Sequence, residues 1–259
     1  ALVDAGWDSK GVTGTILETE AQAVDSLKIN GKSISSLVGI EKMSNLTYLQ
    51  AGNNSLTSIN TTQNTLLKSL YLDGNNLATI DVSLNTDLEL FSIFGGSSQL
   101  TTIDLSTNTK LKNITLTTLS NLENVIFGNS PDLTYIQLAY NKVASLNLSG
   151  LPNLEELKIP FQQMQSLDVS QNTNLTNLWI SSNSLTSLDL SNNPKLTQAL
   201  VDGNDLATLN VSQNPALSFI RAYDNQLTEI DVNNSPEMEY LWLGGLPSDL
   251  SGSSENNSF

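Results

Sequence analysis

The run NLTNLWISSNSLTSLDLSNNPKL, residues 174–196, states one frame twice: Leu175-x-x-Leu178-x-Ile180-x-x-Asn183, then Leu185-x-x-Leu188-x-Leu190-x-x-Asn193. The frame runs along the chain with leading residues Ile34, Leu56, Leu77, Leu100, Leu122, Val143, Met164, Leu185, Leu206 and Leu227, mostly 21 residues apart. Steps of 22 or 23 residues put the surplus of FGGSSQL and TTLSNL into loops. A repeat this short cannot bury its own apolar edge and must stack on its neighbours, so the chain is read as a solenoid of about ten coils. Each apolar-x-apolar step is a short strand whose residues alternate inward and outward, and successive strands build one parallel sheet. The inner strand position holds Ala51, Leu72, Ile93, Leu116, Leu138, Ile159, Ile180, Val201, Ala222 and Leu243, an aliphatic stack.

Where the chain turns inward after the strand stand Asn54, Asn75, Asn141, Asn183, Asn204 and Asn225. A carboxamide there both donates to and accepts from the backbone of adjacent coils. This ladder lapses at Leu119, at Gln162 and around Gly96, so altered turns are expected in those coils.

The frame LxxLxLxxNxL is that of leucine-rich repeats and covers residues 34–246. Its second half, as in LDVSLNTDL and LDLSNNPKL, resembles the 21-residue repeats of internalin J and of Bacteroidetes surface proteins. The likeness stops at frame and period, because internalin J has a cysteine stack at the inner strand position and this chain has none. It implies an α/β-type but predominantly β leucine-rich-repeat arc, with a concave parallel sheet and short strands or turns on the convex side. It also implies a secreted or surface-anchored bacterial protein that binds another protein, on a host cell among other settings.

Residues 1–33 fall outside the frame and are read as an amino-terminal cap with a short helix. The segment WDSKGVTGTILETEAQAV has Gly14, Ile16 and Glu20 at the spacing of a calcium hand. The ligand positions would then be Ser9, Gly11 and Thr13, with Asp8 out of register, so the expectation is a cap without ordered calcium. The segment 247–259, PSDLSGSSENNSF, is read as a carboxy-terminal tail.

Composition narrows the chemistry. The 11 Lys+Arg against 26 Asp+Glu leave a formal charge of -15, which repels nucleic acid and anionic lipid. Cysteine and histidine are both absent, which removes thiol and imidazole nucleophile systems, histidine relays and almost every zinc site. No apolar run reaches the length of a membrane span. The expectation is therefore a monomer that is not an enzyme, with no catalytic residues, no metal and no cofactor. Glu155 with Glu156, or Asp202 with Asp224 on adjacent coils, have the spacing of a glycoside-hydrolysing carboxylate pair, and solvated surface acids are the expected explanation.

Outward positions separate structure from function. At the centre of the second-half strand stand Asn60, Asp81, Asp104, Ile126, Asn147, Asp168, Asp189, Asn210 and Asp231, nearly uniform in type. Uniformity is what a turn produces, because short polar side chains bond their own backbone there; a ladder of cation sites is the alternative. The corresponding row of the first-half strand varies: Gln50, Tyr71, Ser92, Thr115, Gln137, Lys158, Trp179, Leu200, Arg221 and Trp242. It and its flanks gather eleven of the fifteen aromatics, including Tyr140 and Phe161. The candidate ligand-binding residues on this aromatic-rich face are Tyr48, Tyr71, Tyr135, Trp179, Phe219, Arg221, Tyr223, Tyr240 and Trp242. Cross-strand stacking that merely stabilises the sheet is the competing explanation. For the ligand, a protein is the first expectation; a glycan on the same face, or a spacer role in a larger surface protein, are the alternatives.

Overall fold

Apolar residues three and then two apart dictate what forms: the middle residue of each strand turns inward, its two neighbours outward, and the next coil repeats the pattern one strand spacing away. The computed structural model describes residues 18–96 and 99–244, and the chain divides into two compact units, residues 1–130 and 131–259. The calcium-hand-like positions Ser9, Gly11 and Thr13, and the tail from Pro247, lie outside the described residues. Among those described, no helix is long and apolar enough to cross a membrane.

In the first unit a five-residue helix, α1 (Glu18–Gln22), precedes the strands β1 (Ser26–Lys28), β2 (Tyr48–Gln50), β3 (Ser69–Tyr71), β4 (Leu90–Phe94), β5 (Thr102–Leu105), β6 (Asn113–Thr117) and β7 (Asn124–Phe127). Strands β1, β2, β3, β4 and β6 pair in parallel and in register, bringing Leu27, Leu49, Leu70, Phe91 and Ile114 into one buried row. The sheet starts earlier than the frame at Ile34. Val24-x-x-Leu27-x-Ile29 repeats the apolar spacing with all three residues buried, but Lys32 stands where the ladder asparagine would follow.

The second unit repeats the arrangement with β8 (Tyr135–Gln137), β9 (Glu156–Lys158), β10 (Asn177–Trp179), β11 (Gln198–Leu200), β12 (Phe219–Arg221) and β13 (Tyr240–Trp242), each parallel to the next. The inner row Leu138, Ile159, Ile180, Val201 and Ala222 is buried, while Leu243, beside the last described strand, is not.

The asparagine ladder closes the turn as its chemistry requires. Asn204 Nδ2 donates to the carbonyls of Ile180 (3.1 Å) and Val201 (2.9 Å), and its Oδ1 accepts the Leu185 N–H at 3.1 Å. Asn54, Asn75, Asn183 and Asn225 do the same one coil at a time. At Gln162 the ladder does not lapse. The longer side chain spans the same gap, taking the Val143 N–H at 3.1 Å and donating to the Leu138 carbonyl. At Gly96 and Leu119 it does lapse, and there β4 and β6 lengthen to pair over five residues. Gly96 is required: a Cβ on it would stand 2.0 Å from the Asn75 carbonyl oxygen. The same coils hold the second-half strands seen among the described residues, β5 paired with β7. Elsewhere the second half of the coil runs through turns.

A second ladder escaped the sequence reading. Asn64, Asn85, Asn108, Asn172, Asn193 and Asn214 are fully buried at the far end of the coil. Each Nδ2 bridges two carbonyls of the preceding coil, as Asn193 does to Val169 (3.1 Å) and Asn172 (2.9 Å). Ser130 and Ser235 replace the amide with a hydroxyl, each donating to one such carbonyl.

Candidate recognition face of the sheet

The Asp/Asn row behaves as a turn device. Asp189 Oδ1 accepts the Ser191 N–H at 2.9 Å, and the same i to i+2 bond recurs at Asn60, Asp81, Asp104, Asn147, Asp168, Asn210 and Asp231. Bonds from the side chain and backbone N–H of the following serine hold the carboxyls of Asp81, Asp104, Asp168 and Asp189 below the usual aspartate range.

Opposite that strip, the outward side chains of the second unit form three rows set by strand register. One runs Tyr135, Glu156, Asn177, Gln198, Phe219 and Tyr240. The middle row runs Gln137, Lys158, Trp179, Leu200, Arg221 and Trp242. Beyond the strand ends come Ser181, Asp202 and Tyr223, each two residues past the middle row.

The register brings Trp179, Phe219, Arg221, Tyr223, Tyr240 and Trp242 together and leaves Tyr135 apart, four strands away from Phe219. Phe219 meets Tyr240 with ring centroids 5.7 Å apart, and Tyr223 meets Trp242 at 4.9 Å, both tilted. Tyr240 and Trp242 remain 62% and 52% exposed. Leu200, half-buried between Trp179 and Arg221, completes the middle row; sequence reading passed over it because it is not aromatic.

Arg221 is not a free cation. Its Nε donates to Asp202 Oδ1 at 2.6 Å, one Nη donates to Ser181 Oγ at 3.2 Å, and Ser181 Oγ donates to the same carboxylate oxygen at 2.6 Å. Asp202 is 5% exposed, so this carboxylate is held by its arginine rather than offered as a catalytic acid. The guanidinium also lies 5.9 Å from the Tyr223 ring centroid. Burial and the Asp202 charge push the Tyr223 phenol above its ordinary value.

Lys158 is likewise taken up, 2.7 Å from Glu156 and 4.9 Å from the Tyr135 ring centroid. Burial works against its charge, but the bond to Glu156 and the Tyr135 and Glu156 charges outweigh it and raise the ammonium pKa. Glu156 is thereby engaged too. Trp179 is half-buried, and its indole N–H is buried with no hydrogen-bond partner among the described residues.

The first unit carries the remaining candidates. Tyr48 and Tyr71 pack at 5.6 Å between centroids, with Lys28 5.3 Å above the Tyr48 ring. Burial, with the Tyr48 and Asp73 charges, raises the Tyr71 phenol pKa.

Comparison with solved structures places this geometry. The chain is 28% identical to the functional domain of InlJ from Listeria monocytogenes, which includes a cysteine ladder, with a TM-score of 0.72 over 94% of this chain and 58% of that one. An internalin, InlF, from the same organism matches at 21% identity and a TM-score of 0.81, covering 94% of this chain and 74% of that one. A leucine-rich-repeat protein of Leptospira interrogans matches at 19% identity and a TM-score of 0.54, over 92% and 75%. The chain thus spans just under three fifths of the InlJ domain. No family model matches it, and no curated protein does. The fold is that of the leucine-rich-repeat proteins, a parallel-sheet solenoid of 21-residue turns without cysteines.

Proposed function

We propose that this chain is the recognition module of a secreted or surface-displayed bacterial protein, and that it binds a protein ligand through the outward sheet face of its second unit. Trp179, Leu200, Phe219, Tyr223, Tyr240 and Trp242 make the contact. The observation that carries this reading is the cluster of four rings on or beside two adjacent strands, packed in pairs yet half open at Tyr240 and Trp242. Rigid amphipathic rings left open in this way are the usual anchors of protein interfaces.

One further feature supports it. Both cations of the face are satisfied within the chain, so the surface is close to neutral on a protein of net charge -15. A partner is then held by packing and hydrogen bonds, with little dependence on salt.

The test is Trp242→Ala measured beside wild type against a protein ligand captured on the intact chain. Affinity should fall by about 2 kcal/mol or more. The melting transition should move by less than about 1 kcal/mol, since half of the ring lies in solvent. Undiminished binding, or loss only through unfolding, would return the rings to a structural role. Arg221→Ala is the instructive contrast. It strands the buried Asp202 carboxylate and should cost about 2 kcal/mol of stability, tempered by the part-exposure of the arginine. Thermal unfolding of the two variants side by side separates the residue that holds the face from the one that meets the partner.

A further inference from the structure

One place in the second unit breaks the local rules of the coil without burying the side chains that break them. After each of the strands β1 to β4, β6 and β8 to β12 the chain passes through a left-handed residue, and these positions hold Gly31, Asn53, Gly74, Gly95, Thr118, Tyr140, Phe161, Ser182, Gly203 and Asp224, all with φ between +51° and +67°. Glycine, asparagine and aspartate suit that conformation, and bulky side chains are strained in it. Two consecutive coils nevertheless carry aromatics, Tyr140 at φ +58° and Phe161 at φ +56°.

The coil imposes the conformation. The Tyr140 N–H donates to the Pro160 carbonyl at 3.2 Å and the Phe161 N–H to the Ser181 carbonyl at 3.0 Å, as Ser182 and Gly203 do to Asp202 and Tyr223. Nor does burial offset the strain: Tyr140 is 55% and Phe161 41% exposed. What the rings do is stack on each other, centroids 4.4 Å apart and planes within 9°. Strain kept at an exposed position points to function there.

We propose that the Tyr140–Phe161 stack is a binding site for a neutral saccharide, at the turn edge of the second unit and separate from the sheet face. A face-to-face pair presents a flat apolar surface on its outer side, the shape that the C–H face of a sugar ring covers. Beside Phe161 the next two left-handed positions are Ser182 and Gly203, so one or two coil spacings of about 4.8 Å stand without bulk next to the ring.

Polar side chains border this shelf. Gln163, Ser184, Asp205 and Gln226, each two residues past a left-handed position, are all exposed, and offer amide, hydroxyl and carboxylate groups to ring hydroxyls. A protein partner fits less well. Among the described residues of this unit the other large apolar residues that are exposed are Tyr240, Trp242 and Leu243, on or next to β13, so the stacked pair lacks the surrounding apolar contact that an interface hot spot needs. Lys142 is the only cation among these neighbours, so a phosphorylated or sulfated ligand is not favoured.

The experiment uses the full chain and a panel of neutral oligosaccharides built from glucose, mannose, galactose or N-acetylglucosamine, read by saturation-transfer NMR and calorimetry. At least one sugar should bind at millimolar concentration. Phe161→Asn and Tyr140→Asn should each weaken it by about tenfold or more, the loss of a stacked ring. Asparagine accepts the left-handed conformation, so both variants should melt no lower than wild type. Trp242→Ala should bind the sugar unchanged. The proposal is overturned if no neutral sugar binds, if only acidic sugars do, or if the asparagine variants bind equally. Loss in Trp242→Ala alone would put the sugar on the sheet face, and a lower melting temperature for the asparagine variants would make the stack a structural device.

Discussion

Two turns of the coil are closed mainly by asparagine, and they are closed differently. After the strand, the carboxamide of Asn204 both donates and accepts, and the N–H it satisfies, that of Leu185, has no other partner among the described residues. At the far end, Asn193 only donates. Its two carbonyl partners, Val169 and Asn172, already accept the backbone N–H groups of Asn172 and Leu175, and its own Oδ1 is buried and unpaired. Equal recurrence along the chain therefore conceals unequal dependence on the amide.

That difference predicts two substitutions of unequal cost. Asn204→Ala leaves the Leu185 N–H buried without a partner and should lower stability by about 2 to 3 kcal/mol. Asn193→Ala removes two supplementary donations but also an unsatisfied oxygen, and should cost about 1 kcal/mol. Chemical denaturation of the pair decides the matter. Equal losses would mean that the far ladder is as obligatory as the near one, and a larger loss at Asn193 would reverse the argument.

The contrast also explains what could be read in the sequence. Inward positions were legible because apolar spacing has no other explanation, and the near ladder because the frame ends on it. The far ladder was equally visible as asparagine at 64, 85, 108, 172, 193 and 214, yet it lies in polar stretches such as NTTQNTLL, where asparagine passes for an ordinary turn residue. Gln162 was misread for a related reason: the frame is written in residue types, whereas the turn needs an amide within reach, and one more methylene still delivers it. On the candidate face, the aromatic row was legible by its variety. The Arg221–Asp202–Ser181 cluster was not, because its members are 19 to 40 residues apart and only strand register brings them together. The left-handed backbone under Tyr140 and Phe161 was hidden as well, since their residue types argue against it.

A third strip shows which chemistry each turn demands. Both ladders use amides wherever they bond through a carboxyl-derived side chain, because a carboxylate cannot donate. The Asp/Asn row mixes the two freely, since its one task is to accept the N–H two residues on, and Asn60, Asn147 and Asn210 do this as Asp81, Asp104, Asp168 and Asp189 do. The aspartates bring in a pH dependence that asparagine lacks. Their carboxyls sit below the usual range in the folded chain, held first by the serine side chains and then by the serine N–H groups. A depressed folded-state pKa stabilises the fold above the unfolded value and loses that contribution as pH falls through the folded one, so the effect is confined to below about pH 4. All four groups face solvent, and the expected change is the smallest of those considered. Replacing Asp81, Asp104, Asp168 and Asp189 together by Asn keeps every turn bond and should leave the melting temperature at pH 7 nearly unchanged, while the decline between pH 4 and pH 2 becomes shallower than in wild type. Melting curves across that range test it: an unchanged acid decline would show that these turns hold equally well with protonated acids, and a large loss at pH 7 would show that the carboxylates do more than accept one bond.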